Sequence, residues 1–145
     1  MAVKKQKVNW NFQGKDFTDI SQFPDGIIGF VYKLTFSDST YYVGCKQIIS
    51  IRGTQSNWKS YNGSSKPILD ALKSGEIKIT EKEILEFAIS KQELLYRETL
   101  RIICDRVLED EQSRNGWVSC KLYKSHIMNP KPMKITTKRK TKKKL

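Results

Sequence analysis

The sequence predicts an α+β domain in which a small three-stranded antiparallel sheet is flanked by helices. Three observations carry this reading. Residues 27–45 alternate as two strands around a tight turn, with Phe30, Tyr32, Leu34 and Phe36 on one parity and Lys33 and Thr35 on the other. Residues 76–87 (EIKITEKEILEF) hold a third β-rich stretch, read as a strand in two pieces. Residues 66–74 and 91–108 each follow a capping serine and read as helices.

Taken in order, residues 1–25 are polar with four scattered aromatics, Trp10, Phe12, Phe17 and Phe23, and end at Pro24-Asp25-Gly26. They are expected to form an irregular or short helical lead-in whose aromatics pack on the body. The strand 27–36 (IIGFVYKLTF) turns at Ser37-Asp38-Ser39 into a second strand, 40–45 (TYYVGC), and so tight a connection makes an antiparallel hairpin. Residues 46–65 form a longer irregular connection, with room for a short helix near 46–52. Ser64 or Ser65 caps the helix 66–74, which has Pro67 in its first turn and Gly75 at its end. Ser90-Lys91-Gln92-Glu93 has the form of a capping box for the long helix 91–108. Residues 109–124 return through a loop at Asn115-Gly116. The remainder, 125–145, contains Pro130 and Pro132 and reads as a basic tail, disordered in isolation. The domain proper is therefore expected over 26–124.

At 145 residues the chain fits one domain with one core. Its net charge of +12, from 27 Lys+Arg against 15 Asp+Glu, favours a polyanionic partner, either nucleic acid or an anionic membrane surface. Residues 131–145 hold eight of those basic residues and no acid, so the body is only mildly basic. The three cysteines, Cys45, Cys104 and Cys120, are far apart, and His126 is the single histidine. A structural zinc site needs about four such ligands in close pairs. The N-terminus has no apolar run after its lysines, and nothing approaches the roughly 18 apolar residues of a membrane span. A reducing, intracellular setting is expected.

Two features point toward chemistry. In the helix 91–108, Leu94, Leu95 and Ile102 share one face, and Glu98 is four residues from both Leu94 and Ile102. A carboxylate on an inward face is costly unless a cation, a metal or a cleft satisfies it. Its alternatives are a helix-edge ion pair with a Lys or Arg, or a metal ligand at the mouth of a cleft. The second feature is a pair of tyrosines, Tyr32 and Tyr42, on adjacent strands; strand tyrosines are more often sheet-face residues than functional ones.

Gly29-Phe30-Val31-Tyr32 followed by Tyr42-Val43-Gly44 on the next strand resembles the paired motif of the GIY-YIG nucleases. Arg52 lies ten residues after Tyr42, where that family places an arginine. Glu98 sits in YRETLRII, similar to the helix carrying the family's metal-binding glutamate, and Asn115 follows after a loop where the family tends to have an asparagine. The stretch 58–66 (WKSYNGSSK) resembles a Y-x-G-S-S-K segment of phage-type members. The likeness covers roughly residues 27–118. The chain departs from the family in the first motif, in Cys45-Lys46, and in lacking a histidine before the first helix, a place that Tyr61 or Lys66 could take.

The resemblance implies the GIY-YIG fold and a stand-alone, homing-like DNA endonuclease of phage type that uses Mg²⁺ (or Mn²⁺). One carboxylate suffices for Mg²⁺, which keeps most of its waters; that carboxylate is Glu98. Arg52 holds the phosphate through its planar fork. Tyr32 is the first choice to accept a proton from the attacking water, with Tyr42 positioning water or phosphate, and the two roles are exchangeable. Asn115 braces the site or the backbone around Glu98. Lys46, Tyr61 and Lys66 are supporting candidates. Trp58 and Trp117 are expected to pack, with base stacking as the alternative. Lys138, Arg139, Lys140, Lys142, Lys143 and Lys144 suit salt-dependent phosphate contacts. DNA is the expected partner, no membrane is, and a homo-oligomer would let a single-site fold cut both strands. The alternatives are an inactive nucleic-acid-binding module of the same fold and a small basic structural protein.

Overall fold

The computed structural model describes residues 7–118 and 123–136. Strands β1 (Trp10–Phe12), β2 (Lys15–Phe17), β3 (Gly29–Phe36), β4 (Tyr41–Gln47) and β5 (Ile79–Ala88) form one sheet in the order β2-β1-β5-β3-β4. The helices are α1 (Lys66–Ser74), α2 (Lys91–Cys104) and a short α3 (Lys124–Met128). The α+β class is as expected, but the sheet has five strands rather than three, and it is mixed. β3 is antiparallel to both its neighbours, whereas β1 lies parallel to β5 with Trp10 beside Lys82.

The two additional strands come from the lead-in, which was expected to be irregular or a short helix with its aromatics packed on the body. Gln13 and Gly14 both adopt positive φ and fold 10–17 into a hairpin. Trp10 and Phe17 then become core residues, joined by Phe23 after a single short 3₁₀ turn at Ile20–Gln22. The Trp10 indole N–H donates to the Trp58 carbonyl at 2.6 Å. Tertiary packing thus overrides a sequence that reads as polar.

β3 is buried on both faces. Phe30, Tyr32, Leu34 and Phe36 face a core with Trp58, Ile77, Ile84 and the α1 residues Ile68 and Ala71. Val31 faces a second core with Val43, Ala88, Val107 and the α2 residues Leu94 and Ile102. The sheet is therefore a middle layer between α1 and α2. β5 is one continuous strand rather than two pieces; register shifts against β3 at Val31/Tyr32 and Thr35/Phe36 account for its irregular pattern. Lys82 on β5 is buried, its ammonium 4.5 Å from the centre of the Trp10 ring, and burial lowers its pKa to about 8.

The helix capping follows the sequence in part. Ser65, not Ser64, stands at the N-cap of α1. Ser90 accepts the Glu93 N–H at 3.1 Å, while the Glu93 carboxylate pairs with Arg97. α2 ends at Cys104, and residues 107–109 form a separate 3₁₀ turn after Arg106, whose φ is 51°. No helix forms over 46–52: β4 runs to Gln47, and Ile49 then bridges Gln55. The stretch 131–136, part of the tail read from the sequence as disordered in isolation, makes backbone contacts with the body. The Met133 N–H donates to the Ile89 carbonyl at 3.2 Å, and the Thr136 N–H to the Ile51 carbonyl at 2.8 Å. Among the described residues no helix is long and apolar enough to cross a membrane.

Candidate active site

The hairpin β3–β4 positions the two tyrosines, and two glycines allow it to. Tyr32 pairs with Gly44 across the hairpin, and its ring lies over the missing side chain. A Cβ on Gly44 would fall 2.5 Å from the Tyr32 hydroxyl oxygen and 3.0 Å from Tyr42 Cε1. A Cβ on Gly29 would fall 2.7 Å from Leu94 Cδ2, so this glycine lets α2 approach the start of β3. The glycines in the two halves of the motif are thus packing requirements, one for each face of the sheet.

On the α1 face, Tyr32 is 1% exposed and ringed by Trp10, Tyr42 and Tyr61 at centroid distances of 5.2, 6.5 and 6.0 Å. Burial, then neighbouring Tyr61, Tyr42 and Cys45, hold its hydroxyl pKa well above the ordinary value. Tyr42 is only partly buried. Its pKa is raised by burial first and next by the charge of Glu98. Lys46 lies on the same face with its ammonium 4.1 Å from the centre of the Tyr61 ring, and burial lowers its pKa.

Glu98 reaches the hairpin from the other layer. It is partly buried on α2 with the Cys45 thiol as its neighbour, and burial raises its pKa. Its neighbours Arg97 and Arg101 are taken by Glu86, Glu93 and Asp105. Among the described residues Glu98 has no ion-pair partner, so the helix-edge ion pair considered from the sequence is not what the structure holds. Tyr32, Tyr42, Tyr61 and Lys46 therefore occupy one face and Glu98 the other, and they meet at β4, the edge strand of the sheet.

Asn115 braces this edge rather than the backbone around Glu98. Its side-chain amide accepts the Val43 N–H at 2.9 Å and donates to the Val43 carbonyl at 2.8 Å, as a strand backbone would. Arg114, which sequence reasoning missed, donates from Nε to the Thr40 hydroxyl at 2.6 Å and from Nη2 to Asp38 at 2.7 Å, which clamps the β3–β4 turn. Cys45 was also missed as a contact of Glu98; its strand parity with Val31 and Val43, opposite the tyrosines, is the signal that could have found it.

Arg52 stands apart. It is exposed in the loop after β4, and among the described residues it forms no ion pair. The loop is closed by the Gly53 N–H on the Ser50 carbonyl at 2.9 Å and held from outside by Thr136. Lys66 opens α1 and is exposed, without a described contact to the tyrosines. Lys138, Arg139, Lys140, Lys142, Lys143 and Lys144 lie outside the described residues.

The donor set suits a cation that takes few protein groups. No cluster of three or more His, Cys, Asp or Glu occurs among the described residues, which leaves Glu98 as a single carboxylate. A partly buried carboxylate without a cationic partner fits Mg²⁺ or Mn²⁺ carrying most of its own waters. No solved structure matches the chain significantly. Over 73 residues, 48% of its length, the chain is 34% identical to the intron-associated endonuclease 2 of Enterobacteria phage T4, of which this match spans 28%. Residues 10–127, which include the outer strands β1 and β2, match the model of the SegE endonuclease GIY-YIG domain. With that match spanning most of its length, the chain belongs to the GIY-YIG endonuclease family of the SegE type.

Proposed function

We propose that this protein is a divalent-cation-dependent DNA endonuclease that hydrolyses phosphodiester bonds at the β4 edge. The observation that carries the reading is Glu98, a carboxylate held beside Tyr42 and Cys45 with no cationic partner among the described residues. Family membership supports the reaction class. A relative from a phage supports action inside a bacterial or phage-infected cell.

Glu98 would hold the cation, which when bound supplies charge neutralisation at the phosphate and the leaving oxygen. Tyr42 is the better proton acceptor for the attacking water. It is partly open, whereas Tyr32 is buried among aromatic rings under Gly44. This reverses the first choice drawn from the sequence. The Glu98 charge disfavours the Tyr42 phenolate; with that charge neutralised the phenol gives its proton to solvent more readily and, as phenolate, can accept one from the attacking water. Tyr32, wedged between Tyr61 and Gly44, fixes the hairpin on which Tyr42 stands. The exposed Arg52 guanidinium is free to fold onto a non-bridging phosphate oxygen. A single site makes one cut, so double-strand cleavage would require a second copy or a second encounter.

Plasmid nicking with Mg²⁺ tests the reading. Wild type nicks, while Glu98→Ala and Arg52→Ala lose about 100-fold or more in rate. Undiminished nicking by Glu98→Ala would sink it. A second readout needs no turnover. Burial raises the Glu98 pKa, so its contribution to stability is favourable at low pH and lost as pH rises through the folded-state value. Glu98→Gln should therefore melt above wild type at neutral pH without divalent cations, and the difference should close below about pH 4. Mg²⁺ should raise the melting temperature of wild type and not of Glu98→Gln.

A further inference from the structure

We infer that Trp117 is a base-stacking contact that grips a nucleobase unstacked from its strand beside the β4 edge. This rests on the nuclease reading and adds to it a residue for base recognition. The three tryptophans divide sharply: Trp10 and Trp58 are 1% and 0% exposed, whereas Trp117 is 74% exposed. The sequence-based expectation that Trp117 packs is thus not met, and no other large apolar side chain among the described residues is exposed so fully.

The segment carrying Trp117 is anchored on both sides. Ser113 bridges Tyr41 in parallel, the Tyr41 N–H donates to the Gln112 carbonyl at 3.0 Å, and the Arg114 N–H to the Tyr41 carbonyl at 2.8 Å. Asn115 then clamps Val43, and Val118 packs into the α2-side core. Tyr41–Ser113 and Val43–Asn115 share an offset of 72 residues. Trp117 follows this clamp by two residues, next to the strand that also carries Tyr42 and Cys45. An exposed indole is thereby carried on a backbone anchored to β4 on one side and to the α2-side core on the other. An indole held in this way loses little conformational freedom on stacking, and it accepts any base through its π-face.

The test uses the full chain in EDTA, so that no DNA is cut. A short single-stranded oligodeoxynucleotide and an abasic strand of the same length are titrated, with tryptophan emission and the anisotropy of a strand label read together. Expected is quenching that saturates with the anisotropy for the base-bearing strand, and anisotropy without quenching for the abasic one. Trp117→Ala should bind the base-bearing strand roughly 5- to 100-fold more weakly, leave abasic binding unchanged, and be largely rescued in Trp117→Phe. Unquenched emission while anisotropy reports binding, or equal affinity for wild type and Trp117→Ala, would overturn the proposal and leave the nuclease reading intact. If neither strand raises the anisotropy of wild type, the proposal falls, and plasmid nicking with Mg²⁺ decides the nuclease reading separately. Iodide quenching of the free protein adds a check. It should disappear in Trp117→Phe, and its persistence would mean that the accessible indole lies elsewhere.

Discussion

The β3–β4 hairpin and the loop that follows it carry residues of the same candidate site, yet they are held by different forces. The hairpin is packed from both sides, with Tyr32, Leu34 and Phe36 in one core and Val31 and Val43 in the other. Its turn and outer edge are fixed by Arg114 and Asn115. The loop at 50–54 has an Ile51 that is 50% exposed, an exposed Arg52, and a few backbone hydrogen bonds, one of them from Thr136 far along the chain. The difference suits the roles proposed for them. A tyrosine pair that meets a carboxylate from another layer needs a fixed geometry, while an arginine that closes on a phosphate needs reach. Regions that move on binding come from the weakly held end of a structure.

Substitutions can break this comparison. The largest effect on stability is expected from Gly44→Ala, because the added Cβ meets the Tyr32 ring. It should cost about 1–3 kcal/mol, read as a lowered denaturation midpoint, and reduce nicking with it. If Gly44→Ala is as stable as wild type, the hairpin is not as rigid as its packing implies. A smaller cost, about 1–2 kcal/mol, is expected for Asn115→Ala, which leaves the Val43 N–H and carbonyl without their partner. A clean readout is amide exchange at Val43, which should rise in this variant and stay slow in wild type. The smallest stability change, under about 1 kcal/mol, belongs to Thr136→Pro, which removes the donor to Ile51. Its nicking rate should nevertheless fall several-fold if the Thr136 contact positions Arg52. Unchanged nicking would mean that the loop needs no such support.

The hairpin was readable because its information is local. Period-two alternation and a short turn specify β3 and β4, and each glycine of the motif answers to a contact within one or two layers of that hairpin. The helix carrying Glu98 was readable for the same reason, through its capping serine and the spacing of Leu94 and Ile102. The lead-in was not readable. The strands β1 and β2 are three residues each, and β1 gains its place by pairing in parallel with β5, some 70 residues away. No periodicity can appear in so short a strand. The contacts of segment 131–136 were not legible in its composition, because lysines and prolines outweigh the few apolar atoms of Met133 and Ile135 that dock it.

For the site, the chain alone specifies which residue types are present and which strand or helix bears them, because backbone periodicity and motif spacing are properties of neighbours. Only the packed structure decides that Glu98 meets Cys45 and acts on Tyr42 across the edge of β4, that Asn115 braces Val43, and that Trp117 faces solvent while Trp10 and Trp58 do not. Those outcomes depend on which faces of the sheet the helices cover and which edge is left open. They are settled by contacts between segments far apart in the chain, where burial and charge act through space.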